Sequence, residues 1–164
     1  MIDSISQEMD RKNYSIGIFL DLSKTFHKID HKTLLTKLNI YGIRGVALKC
    51  IESYLSGRTQ CVSIGDDVSS KLSVTCGFPQ GSVLGPLLFI LYINDIVNAS
   101  DIMRFVIFAD DTNLFLSNPS LTELIYKTNQ ELILISNWLK LNKLSLNVKK
   151  NSIHTFPCST KENF

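Results

Sequence analysis

The sequence predicts an α+β domain in which a small, mainly antiparallel sheet carries helices on one face. Apolar runs at 14–20, 105–108 and 112–116 have the length of strands, and the last two are close enough to form a hairpin. A long amphipathic segment, 120–141, has the periodicity of a helix. With 164 residues, 45% of them hydrophobic, we expect one domain with a sizeable core.

The first predicted strand, 14–20, is almost entirely apolar, which suits the middle of a sheet that is buried on both faces. Asp21 follows it directly and would lie at the border between core and solvent. Such an Asp is either the N-cap of a following helix or a ligand for a cation, and the strand alone does not decide between them.

The segment after this strand predicts two helices, 32–38 and 46–55, the second of which ends before Gly57. Residues 60–64 and 68–75 alternate loosely around a Gly-Asp-Asp turn, as the two strands of a hairpin would.

A loop rich in glycine and proline, Gly77–Pro86, precedes a strongly apolar segment that runs to Asp95 and is expected to form a buried helix. Pro86 suits a first helical turn, where its missing N–H costs nothing. Backbone N–H groups exposed by glycine at a helix start can receive a phosphate or a flat base. An ordinary connecting loop would have the same composition.

Two adjacent acids, Asp110 and Asp111, lie at the tip of the predicted hairpin between 105 and 116. Tight turns favour Asn-Gly or Asp-Gly because glycine accepts a positive φ, and this turn contains no glycine. A divalent cation would remove the repulsion between the neighbouring carboxylates. An acidic surface turn is the alternative interpretation.

The segment Ser120–Glu123 has the pattern of a capping box and is expected to open the long helix to about Leu141. Between Leu144 and Phe156 the sequence predicts two more short strands. The apolar face that should cover the sheet comprises Leu121, Leu124, Ile125, Leu132, Ile135, Trp138 and Leu139.

In their order and spacing, four of these segments resemble the palm of a reverse transcriptase, specifically the non-LTR (LINE-type) retrotransposon branch. Phe19–Phe26 is similar to the first catalytic motif of that family, and Gly77–Pro86 to the second. Phe108–Asp111 resembles the third motif, an aromatic-Ala-Asp-Asp hairpin. Leu144–Lys150 resembles the segment that ends in a Lys near the nucleotide phosphates.

The resemblance implies a polymerase palm-like fold that transfers nucleotides by a two-metal mechanism, with two Mg²⁺ ions roughly 3.5–4 Å apart and Mn²⁺ able to replace them. Asp21 and Asp110 are implied as bridging carboxylates and Asp111 as the third metal-binding acid. The Leu22 carbonyl would be a further ligand. Lys150 would protonate or neutralise the departing pyrophosphate, although a solvated surface Lys would look the same.

The family also implies a nucleotide and template site. Leu22 and Ser23 would touch the incoming nucleotide, and Phe26 would lie under its sugar, where an aromatic ring excludes a ribose 2′-hydroxyl. Plain core packing is the alternative for Phe26. Three residues of the glycine loop would line the nucleotide and template side: Pro79, Gln80 and Gly81.

The implied partners are an RNA template, a DNA primer and deoxynucleoside triphosphates. We expect 1–156 to be a partial palm domain that lacks most of the fingers and thumb of the parent polyprotein, and 157–164 to be a disordered tail. His27 stands where the branch usually has a second Asp, and Asn151 where Thr usually follows the Lys. These departures leave an inactive remnant as one alternative. An RNA-templated RNA polymerase palm, which shares the acidic hairpin, is the other.

Charge and cysteine content add little to this. The net charge of +2 is too small to argue for nucleic acid by itself. Four cysteines without C-x-x-C spacing argue against structural zinc and for a reducing compartment. With no secretory signal visible and no apolar run of about 20 residues, we expect an intracellular protein of the cytoplasm or nucleus, neither secreted nor membrane-bound.

Overall fold

The computed structural model describes residues 6–8, 10–79, 81–146 and 151–157, with Ser23 and Lys24 described by their backbone only. The chain divides into two compact units. One contains the chain up to Lys24 and from Asn94 onward, and the other is Thr25–Ile93. The helices of eight or more residues are α1 (His31–Ile40), α2 (Gly45–Leu55), α3 (Leu84–Ile93) and α4 (Leu121–Leu141). The strands are β1 (Tyr14–Asp21), β2 (Thr59–Gln60), β3 (Ser63–Ile64), β4 (Asp67–Val68), β5 (Leu72–Ser73), β6 (Arg104–Phe108), β7 (Asp111–Asn118) and β8 (Ser152–Phe156).

The first unit is built on a four-stranded sheet with the order β6-β7-β1-β8, and all its neighbouring strands are antiparallel. The apolar strand β1 is therefore internal, as its sequence predicted. It pairs with β7 along its whole length, from Tyr14 opposite Asn118 to Asp21 opposite Asp111. This confirms the predicted small, antiparallel sheet.

One face of this sheet is the core of the unit. Ile16, Ile18 and Leu20 are buried there. Their cross-strand partners on β7, Leu116, Leu114 and Thr112, are buried as well. Because side chains alternate between the two faces of a strand, these six side chains share one face. Helix α4 contacts β1 and β7, and its buried side chains are Leu124, Thr128, Ile135 and Leu139.

Helix α4 begins at the predicted residue, but only the Ser120 half of the predicted capping box forms. The Ser120 hydroxyl accepts a hydrogen bond from the Glu123 N–H at 3.4 Å. The return bond of the box is made by Asn118, whose Oδ1 accepts from the Ser120 N–H at 2.9 Å. The predicted apolar face is too wide, because Leu121 and Ile125 are 39% and 48% exposed.

In the second unit, α1 and α2 confirm the two predicted helices to within two residues at each end. Asp30 caps α1 by accepting hydrogen bonds from the Thr33 N–H and hydroxyl at 2.9 and 2.8 Å. The buried Lys37 ammonium donates to the Tyr92 carbonyl at 2.7 Å and lies 4.7 Å from the centre of the Tyr92 ring. These contacts join α1 to the last turn of α3.

The hairpin expected over 60–75 is shorter and more broken than predicted. Its strands form two nested pairs, β2 with β5 and β3 with β4, each two residues long. Every residue from Thr59 to Ser73 is exposed. With no buried face to support them, longer strands are not stabilised.

At the C-terminal end, the second of the two strands predicted over 144–156 forms as β8 and pairs with β1. Residues 144–146 lie in no strand, and 147–150 fall outside the described residues. Pro157 is the last residue described, and the disordered tail predicted over 157–164 otherwise lies outside the described residues.

Candidate metal centre

The candidate site is built at the end of β1, where Asp21 is the direct cross-strand partner of Asp111. The Leu22 N–H donates to the Asp110 carbonyl at 2.9 Å. Since this bond joins the residues that flank the pair, Asp21 and Asp111 form a non-hydrogen-bonded pair. In such pairs the Cα atoms are about 4.5 Å apart and the side chains lie on the same face.

Both acids border one open cavity of about 470 Å³, which is also lined by Phe19, Leu20 and Asn113. Phe19 is opposite Asn113 in the register, two residues before the acidic pair. The side chains of all four paired residues therefore project from the face opposite the α4 core. The two carboxylates face a space that a solute can enter.

Asp110 lies in the two-residue turn between β6 and β7, because Phe108 pairs directly with Asp111. Ala109, the first turn residue, has a φ of 52°, whereas Asp110 does not have a positive φ. This is the sign pattern of a type II′ turn, which normally has glycine at the first position. An L-residue in the left-handed region costs roughly 1–2 kcal/mol, so the acidic tip carries backbone strain.

The carboxylate oxygens of the three acids are suitable ligands for a divalent cation. Carboxylate oxygens are the ligands that Mg²⁺ and Mn²⁺ prefer, and a cation removes the repulsion of a facing acidic pair. Across the described part of the chain, no three His, Cys, Asp or Glu side chains form a ready-made metal cluster. The arrangement is a facing pair, Asp21 and Asp111, with Asp110 adjacent in the turn.

This geometry bears on the bridging ligands implied by the family resemblance. The resemblance implies that Asp21 and Asp110 bridge the two metal ions, yet the direct partner of Asp21 across the strands is Asp111. Asp110 meets β1 through its carbonyl oxygen. Coordination by each acid, and by the Leu22 carbonyl, stays a prediction.

Phe26 belongs to the second unit, where it packs in an aromatic cluster. Its ring centre is 5.2 Å from that of Phe78 and 5.6 Å from that of Phe89. The side chain is half-buried, and a Cβ added at Gly85 would come within 3.1 Å of its ring. The ring is therefore part of the local packing, and its role under a sugar stays a prediction.

The glycine loop borders a second cavity, of about 620 Å³, within the same unit. Gly77 has a φ of 74°, and a Cβ there would lie 2.6 Å from the His27 carbonyl oxygen, so the loop requires glycine at this position. Pro79 is among the lining residues, and Gly81 is exposed. The full lining is His27, Arg58, Thr59, Gln60, Ser73, Val74, Thr75, Cys76, Gly77, Phe78 and Pro79.

For three predicted site residues the side chain is not described. Gln80 and Lys150 lie outside the described residues, and Ser23 is described by its backbone alone. Leu22 is described and fully buried, and its contact with a ligand stays a prediction.

Two residues near the acids were not predicted as part of the site. Asn113 follows Asp111 by two positions, and strand alternation would have placed it on the same face. Asn151 stands where the family usually has a Thr after the Lys, and no contact with the acids is predicted for it. Its side-chain Oδ1 accepts from the Asp21 N–H at 3.1 Å.

At the other end of the sheet lies Glu8, a carboxylate whose pKa is lowered from its ordinary value. A hydrogen bond from the Asn13 side chain lowers the pKa of Glu8, and the Ser117 hydroxyl and the Arg11 guanidinium lower it further against the opposing effect of burial. Ser117 lies on β7, so Glu8 joins the segment before β1 to the sheet. This carboxylate has a structural role.

Comparison with known proteins supports the interpretation of these segments. A family model described as reverse transcriptase (RNA-dependent DNA polymerase) matches residues 2–163. The chain is 28% identical over 158 residues to the RNA-directed DNA polymerase from mobile element jockey of Drosophila melanogaster, covering 92% of this chain and 17% of that protein. It is 35% identical over 95 residues to the probable RNA-directed DNA polymerase from transposon X-element of the same organism, covering 58% of this chain and 10% of that protein. The chain thus spans less than a fifth of these relatives.

Solved structures share the fold. The telomerase from Candida tropicalis, in complex with a TWJ fragment of telomeric RNA, matches with a TM-score of 0.68 and 12% identity. The match covers 99% of this chain and 30% of that chain. The telomerase from Candida albicans matches with a TM-score of 0.65. At such identities the likeness concerns the fold alone. Among the described residues, no helix is both long and apolar enough to cross a membrane.

Proposed function

Since the chain belongs to the reverse transcriptase (RNA-dependent DNA polymerase) family, we propose that it is the palm of a non-LTR retrotransposon RNA-directed DNA polymerase. The parent enzyme extends a DNA primer on an RNA template with deoxynucleoside triphosphates. The observation that carries the proposal is the facing pair of Asp21 and Asp111 at the open end of an antiparallel sheet, with Asp110 beside it in the turn.

In this proposal the three acids hold two divalent ions. Bound there, Mg²⁺ would lower the pKa of the attacking 3′-hydroxyl and stabilise the oxygens of the departing pyrophosphate. Asp21 and Asp111 face the cavity that receives the α-phosphate, and Asp110 completes the acidic cluster from the turn. The sheet holds these carboxylates in a fixed relation, which is the main contribution of a protein to phosphoryl-type transfer.

The remaining site residues act on nucleotide and template. Leu22 and Ser23 contact the nucleotide through the backbone after Asp21, and Phe26 excludes a ribose 2′-hydroxyl. Pro79, Gln80 and Gly81 contact the nucleotide and the template. Lys150 neutralises the departing pyrophosphate.

The second cavity supports the template role, because it contains Arg58 and two hydroxyl-bearing threonines next to Pro79. Guanidinium and hydroxyl groups are common donors to phosphate oxygens. The fingers and thumb of the parent polyprotein would complete the grip on the primer and template.

An intracellular site of action fits the described cysteines. Cys50, Cys61 and Cys76 are free and exposed. Exposed thiols persist in a reducing compartment such as the cytoplasm or nucleus.

Two alternative functions were an RNA-templated RNA polymerase and an inactive remnant. The family match and the retrotransposon relatives favour RNA-directed DNA synthesis over an RNA-templated RNA polymerase. An inactive remnant, folded or not, would lack metal-dependent catalysis, so it is one outcome of the experiment below.

The experiment is primer extension on an RNA template with Mg²⁺ and deoxynucleotides, using the parent polymerase that contains this segment. We expect extension that is lost on Asp110→Asn and on Asp21→Asn. The matched control is Asp67→Asn, which neutralises one of two adjacent acids at the turn of the exposed β3–β4 hairpin. Extension that survives both site substitutions would refute the assignment, and no extension by a folded parent enzyme would establish the inactive remnant.

The 164-residue chain by itself is expected not to extend a primer. Its net charge of +2 gives weak duplex binding that weakens further as salt rises. Clear extension by the purified chain, abolished by Asp110→Asn, would show that the palm alone suffices.

A further inference from the structure

Asn151 touches the backbone of a proposed metal ligand. Its side-chain Oδ1 accepts from the Asp21 N–H at 3.1 Å, although the two residues are 130 positions apart in the sequence. We infer that Asn151 is a positioning residue that fixes the end of β1, and with it the carboxylate of Asp21, for metal binding. The inference rests on the proposed function.

The register explains why this N–H needs a partner. The N–H of Leu22 is directed toward the hairpin tip, where it donates to the Asp110 carbonyl. Because successive N–H groups of a strand are directed to opposite sides, the N–H of Asp21 is directed toward β8. Pairing between β1 and β8 ends at Phe19 and Ser152, two residues before Asp21 on β1.

Asn151 directly precedes Ser152 and supplies the next acceptor with its side chain. The end of β1 is thereby held from both sides, by Asn151 at Asp21 and by the Asp110 carbonyl at Leu22. Strand ends that lack such bonds open locally at little cost in free energy. Loss of the Asn151 bond would let the Asp21 backbone, and its carboxylate with it, sample more positions.

The chemistry of the amide suits this place. An amide oxygen accepts a hydrogen bond without adding charge, and the site already contains three acids at the end of the sheet. Partners that orient metal ligands from behind typically change metal affinity by about 10–100-fold when they are removed. We therefore expect loss of the Asn151 acceptor to weaken metal binding.

The test compares Asn151→Leu, which removes the acceptor at similar size, with Asn151→Asp, which keeps it. The matched control is Asn118→Leu, because Asn118 also accepts a backbone N–H with its Oδ1, at 2.9 Å, but at the opposite end of β7. Mn²⁺ affinity is measured by water-proton relaxation on the purified 164-residue chain. Amide hydrogen exchange at Asp21 reports the hydrogen bond itself, and thermal unfolding reports stability.

We expect Asn151→Leu to weaken Mn²⁺ binding roughly 10-fold and to accelerate exchange of the Asp21 amide. Asn151→Asp should keep the amide protected and the affinity at least as high as in the unsubstituted chain. Asn118→Leu should leave both unchanged. If leucine prevents folding at position 151, Asn151→Ala takes its place in the same comparison.

Two results would overturn the inference alone: Mn²⁺ affinity that is insensitive to Asn151→Leu, or an equal loss of affinity in Asn118→Leu, which would show a merely structural role. A folded, unsubstituted chain that binds no Mn²⁺ would instead overturn the proposed metal function. In that case Asp21 amide exchange would still tell whether Asn151 holds the end of β1.

Discussion

Neutralising Asp111 should have opposite effects on stability with and without Mg²⁺. Asp111 faces Asp21 across the sheet, and the paired side chains are about 5 Å apart at Cβ. Asp111 is exposed and Asp21 is half-buried, so a water-like dielectric constant applies. At that distance two like charges repel by about 1 kcal/mol. Without a divalent ion, Asp111→Asn should therefore raise the free energy of unfolding by up to about 1 kcal/mol at low salt, and by less as salt screens the pair.

With Mg²⁺ the order should reverse. At a concentration about 100 times the dissociation constant, an ion that binds only the folded chain adds about 2.7 kcal/mol to the free energy of unfolding. Asp111→Asn removes one of the facing ligands and should lose most of this gain. The variant should then be less stable than the unsubstituted chain by roughly 1–2 kcal/mol, or several degrees in Tm for a chain of this size.

The assay is thermal unfolding of both proteins at low ionic strength, first with a chelator and then across a Mg²⁺ titration. Asp67→Asn is the matched control, because Asp66 and Asp67 are also adjacent acids at a hairpin turn, but Asp67 pairs with Ile64 and faces no acid. The control should keep the full response to Mg²⁺. The reasoning is refuted if Asp111→Asn destabilises the metal-free chain at low salt, or if Asp67→Asn loses as much of the Mg²⁺ response as Asp111→Asn does.

Four further substitutions test the strain, the electrostatics and the packing described above. Ala109→Gly should relieve the positive φ at the acidic tip and raise the free energy of unfolding by about 0.5–1 kcal/mol in chemical denaturation. Lys143 has a φ of 55° after α4, and Lys143→Gly should raise the free energy of unfolding similarly without changing Mn²⁺ affinity. If neither substitution raises the free energy of unfolding, the strain argument is wrong. Because the pKa of Glu8 is lowered on folding, its contribution is present above its ordinary value of 4.5 and is lost as pH falls below it. Glu8→Gln should therefore reduce the loss of stability on acidification, and an unchanged pH profile would argue against the Glu8 contacts. Phe26→Ala should cost about 2 kcal/mol of stability from the aromatic cluster and, in the parent polymerase, increase incorporation of ribonucleotides, whereas unchanged sugar discrimination would leave Phe26 a packing residue.

Local patterns were sufficient for much of the fold. The apolar run of β1, the capping Ser120 and the acidic hairpin depend on neighbours within a few residues, and the structure forms each of them. Where the prediction failed, distant contacts decided the outcome. The strands expected over 60–75 are short because residues 59–73 are all exposed and have no buried face, and Leu121 is exposed although its spacing fits the apolar face.

The sequence by itself determined the family and the antiparallel α+β fold, because motif order and strand periodicity are properties of the linear chain. It also predicts the three acids as metal ligands, which the primer-extension and Mg²⁺ experiments test. Only the tertiary structure decided that Asp111 is the partner facing Asp21. It also decided that Asn151 holds the Asp21 N–H. These relations depend on the register between strands that are far apart in sequence. A register shift by one residue would turn each side chain to the other face, and no local pattern near Asp21 specifies which residue of another strand lies opposite.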